Sequence, residues 1–280
     1  MRFCFFTSGG KKYWEDVFYY QKWRIQRHWR TKKYRLLDNF DICRASGSFE
    51  ECRKAFVKFI EVFEIPRQKG KLIILLHGLN ENKKTFKPLW RALTQKGYNV
   101  AAVNYPSTKK TIRGHLDQFD FFLTHIEDID EVSFITKGSG CLVLRCLLNE
   151  SFAFEDKFKI GKVINVNPLN RGSEICEILS RFKIFRWIFG PSLSEMTPDV
   201  APHFPRLPLN IPLGLIFCET YFDKLIKPIK KKYGGIEIPT DLSEKSFSEH
   251  IINIKNKDLN IFDNPQIVEN CVRFLENGKF

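Results

Sequence analysis

From residue 71 onwards, short apolar runs alternate with amphipathic stretches. The run LIILL (72–76) is continuous, which is typical of a buried strand in a parallel sheet, and Leu89 and Leu93 share one face of the helix predicted after it. The same alternation predicts strands at 98–103, 132–136, 162–167, 213–219 and 250–255, and helices at about 85–96, 111–127, 140–149 and 265–275. Strands that alternate with helices form a mostly parallel, doubly wound sheet with helices on both faces, so the predicted fold class is α/β.

A different pattern precedes this region. The stretches KWRIQRHW (22–29) and KKYRLLDNFDICRA (32–45) alternate apolar and polar residues. They predict an N-terminal β-hairpin that turns near Thr31–Lys33. We therefore divide the chain into an extension at 1–68, packed on the core, and a larger domain at 69–280.

A helix is predicted to complete the N-terminal extension. Ser48 and Glu51 have the spacing of a capping box, which marks a helix start, and Pro66 is expected to end the helix. Its apolar residues recur at helical spacing and predict one face packed on the rest of the molecule. These residues are Cys52, Ala55, Phe56, Phe59, Ile60 and Phe63.

The net charge of +13 is concentrated near the N-terminus. Residues 1–36 hold ten Lys and Arg against Glu15 and Asp16, together with eleven aromatic residues. Such a surface is suited to an acidic protein surface, an anionic membrane or nucleic acid. Alternatively, the aromatic side chains pack on the domain while the Lys and Arg are solvated. We keep contact with an acidic surface or anionic membrane through residues 11–35 as a hypothesis, and we do not expect a nucleic-acid partner.

Other features of the sequence bear on cellular location and cofactors. The eight cysteines include no C-x-x-C pair and no metal-ligand spacing, so we expect reduced, mostly buried thiols and no metal. No apolar run approaches the roughly 18 residues that span a bilayer. The start MRFCFFTSGGKKYW has too short an apolar run for a signal peptide. We predict a cytoplasmic protein without a cofactor.

Three motifs follow one another along the chain: HGL (77–79), VSFITKGSGCLVLRCLL (132–148) and NPLNRGSE (167–174). Together and in this order they resemble the α/β-hydrolase superfamily, in its bacterial lipase- and esterase-like branch. HGL resembles the oxyanion loop, the second motif the nucleophile strand, turn and helix, and the third a stretch of that branch. The resemblance covers about residues 34–280. It implies an α/β-hydrolase fold in which the irregular, helical segment 169–212 forms a lid-like insertion.

The nucleophile position departs from the family's pattern. Hydrolysis in this family needs a serine on a strained strand–helix turn, a histidine base, an acid and backbone N–H groups for the oxyanion. Alignment of the strand and helix places Gly138 on the nucleophile and Gly140 two residues after it. A slip of one residue would make Ser139 the nucleophile, but it would put Lys137 and Cys141 at positions that need small residues. Cys141, in the first helical turn, is a weaker alternative.

The base position also departs from the pattern. The family's histidine precedes the closing segment by a few residues, and Asp258 stands there instead, with no histidine between 251 and 280. His250 is predicted at the start of its strand, about 16 Å from the carboxyl end where such sites lie. His77 belongs to the resembled oxyanion loop, and His203 lies in the presumed lid without a motif around it.

The acid position reads Tyr233 in the loosest of the three alignments. Glu237 and Asp241 are nearby substitutes at positions that usually carry surface residues. The three triad positions of the resemblance therefore read Gly138, Tyr233 and Asp258.

These substitutions favour a catalytically inactive α/β-hydrolase-like protein that acts by binding a partner or an apolar, acyl-type ligand. The resemblance places the ligand pocket at the oxyanion loop, with His77, Gly78, Leu79 and Ser139. The alternative is an active serine esterase or lipase in which Ser139 attacks and His203 or His77 serves as base. The partner and the ligand stay open at this stage.

Overall fold

The computed structural model describes residues 5–218 and 250–280, apart from positions 8, 11, 152, 153, 155 and 257. The strands are β1 (Phe5–Phe6), β2 (Trp14–Tyr20), β3 (Trp23–His28), β4 (Tyr34–Leu37), β5 (Ile42–Gly47), β6 (Lys71–Leu76), β7 (Asn99–Val103), β8 (Glu131–Lys137), β9 (Lys159–Val166), β10 (Leu213–Cys218) and β11 (His250–Ile254). The helices are α1 (Phe49–Val62), α2 (Lys87–Gln95), α3 (Leu116–Thr124), α4 (Gly140–Glu150), α5 (Glu174–Ser180), α6 (Lys183–Phe189), α7 (Ser192–Glu195) and α8 (Pro265–Asn277).

In the described part of the chain, six strands form a parallel sheet in the order β11-β10-β9-β8-β6-β7. Ile73 and Leu75 face the layer that contains α2 and α8. Leu72, Ile74 and Leu76 face the opposite layer, which contains α3 and α4. Both faces of the sheet are therefore covered, as the continuous apolar run of β6 predicts. The predicted doubly wound α/β architecture is confirmed.

The N-terminal region is a larger sheet than the predicted hairpin. The hairpin is present as β3 and β4, but it lies inside a five-stranded antiparallel sheet in the order β1-β5-β4-β3-β2. The additional strand β2 has no alternating pattern, because it is buried on both faces. Val17 and Phe18 are neighbours in sequence, and both side chains are fully buried. Period-two alternation appears only where one face of a strand meets water, so this strand gave no such signal.

Helix α1 begins with the predicted capping box. The Ser48 hydroxyl accepts a hydrogen bond from the Glu51 N–H, and the Glu51 carboxylate accepts one from the Ser48 N–H at 2.7 Å. Cys52 and Phe56 are fully buried against the N-terminal sheet. The helix ends at Val62, before the predicted limit at Pro66.

The aromatic side chains of the N-terminal segment lie mostly in the interior. Phe18, Tyr20 and Trp23 surround Phe56, with ring centroids 5.4, 5.6 and 5.8 Å away. Several arginines there are also buried and hydrogen-bonded rather than solvated: Arg24, Arg27 and Arg35. Among the described residues of the segment, the exposed cations are Lys12, Lys22, Arg30, Lys32 and Lys33. Contact with an acidic surface or membrane through residues 11–35 stays a prediction, and it depends on these cations.

Buried polar contacts join the N-terminal sheet to the parallel sheet. Asp16 donates its N–H to the Asn104 carbonyl at 3.0 Å and accepts the Asn104 N–H on its carboxylate at 2.6 Å. Asp41 forms ion pairs with Arg24 of β3 and with Lys83, which precedes α2. Because both partners of each contact are largely buried, the two sheets form a continuous interior at this junction.

The segment 169–212 contains α5, α6 and α7 and is fastened at several points. A Cβ at Gly172 would lie 2.3 Å from the Thr197 carbonyl oxygen, and one at Gly190 would lie 1.9 Å from the Thr108 carbonyl oxygen. Both glycines have positive φ, so the backbone at these contacts requires glycine. Among the described residues, no helix has the length and hydropathy needed to cross a membrane.

Candidate functional site

The turn between β8 and α4 has glycine at its tip. Gly138 has φ 52°, in the left-handed region, and its N–H donates to the Val166 carbonyl at 3.0 Å. Ser139 follows with helical angles, φ −65° and ψ −14°, and is only 3% exposed. The residue with the left-handed backbone at the tip of the turn is therefore Gly138, and Ser139 belongs to the first turn of the helix.

Space around the turn differs sharply between its two glycines. A Cβ at Gly138 would approach only the Gly78 Cα, at 3.8 Å. A Cβ at Gly140 would lie 2.6 Å from the Leu76 carbonyl oxygen and 3.0 Å from that of His77. Gly140 is thus required by the close approach of α4 to the end of β6, whereas position 138 has room for a side chain.

A carboxylate of the chain itself occupies part of the HGL loop. The Gly78 N–H donates to Glu81 Oε2 at 3.1 Å, and the other carboxylate oxygen of Glu81 pairs with the Lys137 ammonium. Lys137 directly precedes Gly138. The ion pair therefore links the loop after β6 to the turn after β8. Neither Glu81 nor Lys137 stood among the residues that the sequence indicated as binding groups.

His77 is a packed interior residue in this loop. Its side chain is fully buried, its ring stacks on Tyr105 with centroids 4.1 Å apart, and its Nδ1 lies 2.8 Å from the Gly78 carbonyl oxygen. Burial lowers the pKa of His77 to about 4. These contacts orient the loop.

The other predicted site residues are spread over the carboxyl and amino edges of the sheet. Asp258 lies after β11 and donates its N–H to Asn256 Oδ1 at 3.3 Å. His250 opens β11 opposite Gly214, at the amino end of the strands as expected. His203 is exposed at the Ala201–His203 turn. Tyr233, Glu237 and Asp241 lie outside the described residues. Within the described residues, no histidine forms a hydrogen bond with the Ser139 hydroxyl.

The NPLN stretch (167–170) contacts the first turn of α4, next to Gly138. The Cys141 thiol accepts the Leu169 N–H at 3.3 Å and lies 3.5 Å from Asn170 Oδ1. Arg145, one turn further along α4, donates to the same Asn170 oxygen at 3.0 Å. In the sequence, Arg145 is a single arginine inside the apolar run CLVLRCLL. Such a position indicates a buried, hydrogen-bonded cation.

The described residues do not bring together a metal site. No group of three or more His, Cys, Asp or Glu side chains in this part of the chain has the arrangement needed to hold a metal ion. Of the cysteines in the described residues, all except the half-buried Cys176 are buried, as the sequence predicts.

Two buried histidines make stability sensitive to acid. Burial lowers the pKa of His77 to about 4 and that of His115 to about 3. The unfolded chain takes up these protons near pH 6.5, whereas the folded chain does not, so stability falls as the pH drops below 6.5. We expect the free energy of unfolding to fall by up to about 1.4 kcal/mol per pH unit for each histidine.

Urea unfolding between pH 7 and pH 5 measures this slope. His115 is the better residue to replace, because neither ring nitrogen has a hydrogen-bond partner in the described residues. His115→Leu is expected to halve the decrease in unfolding free energy per pH unit. An unfolding free energy that is constant over this interval would show that the two histidines are not held neutral.

Comparison with known proteins identifies the fold. No protein-family model matches the sequence, and no curated protein matches it either. A mature lipase of Bacillus licheniformis is similar in structure, with TM-score 0.52 and 13% identity over 72% of this chain and 91% of that one. A carboxylesterase of Nitrososphaera gargenis has TM-score 0.49 and 13% identity over 74% and 90% of the two chains. A monoacylglycerol lipase of Paleococcus ferrophilus has TM-score 0.47 and 13% identity over 74% and 94%.

The similarity to the Bacillus licheniformis lipase extends over most of both chains. At 13% identity such a similarity bears on the fold alone. This chain has the α/β-hydrolase fold.

Proposed function

We propose that this protein is a non-hydrolytic α/β-hydrolase-like protein that acts by binding a ligand or a partner. The observation that carries the proposal is Gly138 at the tip of the turn, with φ 52°. In the hydrolytic mechanism this residue supplies the attacking oxygen, and glycine has no side chain. Glycine also accepts a positive φ without the strain that serine would carry there.

Two further observations, on Ser139 and on Glu81, support the proposal. Ser139 is buried and helical, so its hydroxyl does not take the place of the missing nucleophile at the tip. The Glu81 carboxylate, which is paired with Lys137, also accepts the Gly78 N–H, so this N–H of the loop is already occupied. An N–H that donates to a carboxylate of the chain is not free to stabilise an oxyanion.

The ligand that fits this proposal is apolar or acyl-type and lies between the segment 169–212 and the carboxyl edge of the sheet. Leu79 would form one side of this pocket, with the buried His77 and Gly78 behind it, and Ser139 would lie beside them. A protein partner is the alternative occupant. Neither requires a cofactor.

The second candidate function is carboxylic ester hydrolysis by a serine esterase that uses Ser139. One observation favours it: Ser139 lies only one residue beyond the turn, at the start of α4. The fold is also shared with a protein named as a lipase. His77 or His203 would then have to serve as base.

Hydrolysis of short- and medium-chain p-nitrophenyl esters separates the two functions. The parent protein, Ser139→Ala and the control Ser180→Ala, which alters a serine on α5, are compared at equal concentration. We expect all three to remain at the rate of the buffer. Turnover by the parent and by Ser180→Ala that disappears in Ser139→Ala would establish Ser139 as a nucleophile and refute the non-hydrolytic proposal.

A further inference from the structure

Helix α6 presents a row of large apolar side chains to solvent. Ile184, Trp187 and Ile188 have i, i+3, i+4 spacing, lie on one face, and are 56%, 80% and 40% exposed. Phe185 and Phe189 are half-buried on the inner side of the helix, with ring centroids 6.4 Å apart. One side of α6 therefore packs on the molecule, while the opposite side carries unpartnered apolar surface within the described chain.

The same segment is strongly cationic. Residues 181–189 read RFKIFRWIF, with three cations, no acidic residue and no neutral polar residue. Lys183 and Arg186 are exposed, and Phe182, just before the helix, is 54% exposed. We call these exposed side chains at residues 181–188 the α6 face. Arg181 is paired with Glu177, so the positive charge that the face offers to a partner comes from Lys183 and Arg186, beside its apolar side chains.

The α6 face is held in a fixed position on the molecule. Gly190 ends the helix, and its backbone contacts Thr108 so closely that no side chain fits between them. The Ser192 hydroxyl, at the start of α7, donates to the Lys110 carbonyl at 2.6 Å. Because the loop after β7 anchors the segment, the apolar side chains are exposed without any prior opening.

We propose that the α6 face docks on the surface of a lipid bilayer that contains anionic lipids. Trp, Phe and Ile side chains insert at the boundary between headgroups and acyl chains, while Lys and Arg contact anionic headgroups. A second copy of this chain fits less well, because the two cationic segments would repel each other. This inference goes beyond the proposed function and holds whether or not an ester is cleaved.

The test is co-sedimentation of the full chain with vesicles of phosphatidylcholine that contain about one third phosphatidylserine. Pure phosphatidylcholine vesicles are run in parallel. We expect binding to the anionic vesicles that weakens with added salt, and at least about tenfold weaker binding to the neutral ones. The summed fluorescence of the five tryptophans is expected to shift to shorter wavelength on binding, because the Trp187 indole leaves water, and Trp187→Phe is expected to remove this shift.

Four variants assign the binding to the α6 face. Ile184→Ser with Trp187→Ser, and Lys183→Gln with Arg186→Gln, are each expected to weaken binding about tenfold. The matched control is Phe40→Ser, which alters another exposed aromatic residue and is expected to bind like the parent. Lys32→Gln with Lys33→Gln removes two cations from the N-terminal segment and distinguishes the α6 face from the alternative contact through residues 11–35. If the α6 face makes the contact, this variant binds like the parent.

Three outcomes would overturn the proposal. The first is equal binding to neutral and anionic vesicles, or none to either. The second is a loss of binding in Lys32→Gln with Lys33→Gln while the α6 variants bind normally, which would move the contact to residues 11–35. The third is tight binding to soluble polyglutamate without binding to vesicles, which would assign the face to an acidic protein. All substitutions are at exposed positions, so unchanged circular dichroism is the check on folding.

Discussion

Replacing Arg145 with methionine is expected to lower the free energy of unfolding by about 3–5 kcal/mol. Arg145 lies on α4, and its guanidinium contacts the segment that follows Asn170. The residue is only 3% exposed. It donates to the carbonyls of Pro205 and Phe204 at 2.5 and 2.7 Å, and to Asn170 Oδ1 at 3.0 Å. Methionine has a similar length but no donor, so these acceptors would be left buried without partners.

Chemical denaturation of the purified variant measures this effect. The control is Arg67→Met, which breaks the ion pair with Asp128 on an exposed surface and is expected to leave the unfolding midpoint unchanged. The comparison separates a buried cation from a surface one. An Arg145→Met variant that unfolds within about 1 kcal/mol of the parent would contradict the assigned role.

Gly140→Ala is expected to lower the free energy of unfolding by about 3 kcal/mol, more than Gly138→Ala two residues earlier in the turn. A methyl group at 140 would lie 2.6 Å from the Leu76 carbonyl oxygen, which belongs to a central strand and cannot move away cheaply. At 138 the nearest atom would be 3.8 Å away. The cost there is the positive φ alone, about 1–2 kcal/mol for a residue with a Cβ.

The two variants form a matched pair, because each adds one methyl group within the same turn. Their unfolding midpoints, measured in urea at pH 7, are expected to rank parent, Gly138→Ala, Gly140→Ala from highest to lowest. The reverse ranking would mean that α4 does not approach β6 as closely as the backbone indicates.

The sequence predicted the parallel sheet well. Strands that are buried on both faces appear as continuous apolar runs, and helices that are buried on one face appear as amphipathic stretches. The run LIILL became β6, and the closing helix predicted at 265–275 became α8 at Pro265–Asn277. The N-terminal sheet was underestimated, because β2 contains Glu15 and Asp16 and is therefore neither a continuous apolar run nor an alternating one. In the structure both residues are buried against cations or backbone donors.

The site could be predicted only in part. The alignment of strand and helix put Gly138 at the turn, and the backbone has its positive φ there. Glu81 was not predicted as a site residue. Nothing in the sequence shows that its carboxylate accepts the Gly78 N–H and pairs with Lys137.

The sequence by itself determined the class of the fold and the identity of the residue at the turn, since both follow from local patterns of hydrophobicity and small residues. Tertiary structure decided which charges are buried, which loop N–H is occupied and which apolar residues face solvent. The segment RFKIFRWIF illustrates the difference. Its composition suits either a buried helix or a surface, and only the packing of Phe185 and Phe189 inward leaves Trp187 exposed. Such outcomes depend on contacts between residues distant in sequence, which no local pattern encodes.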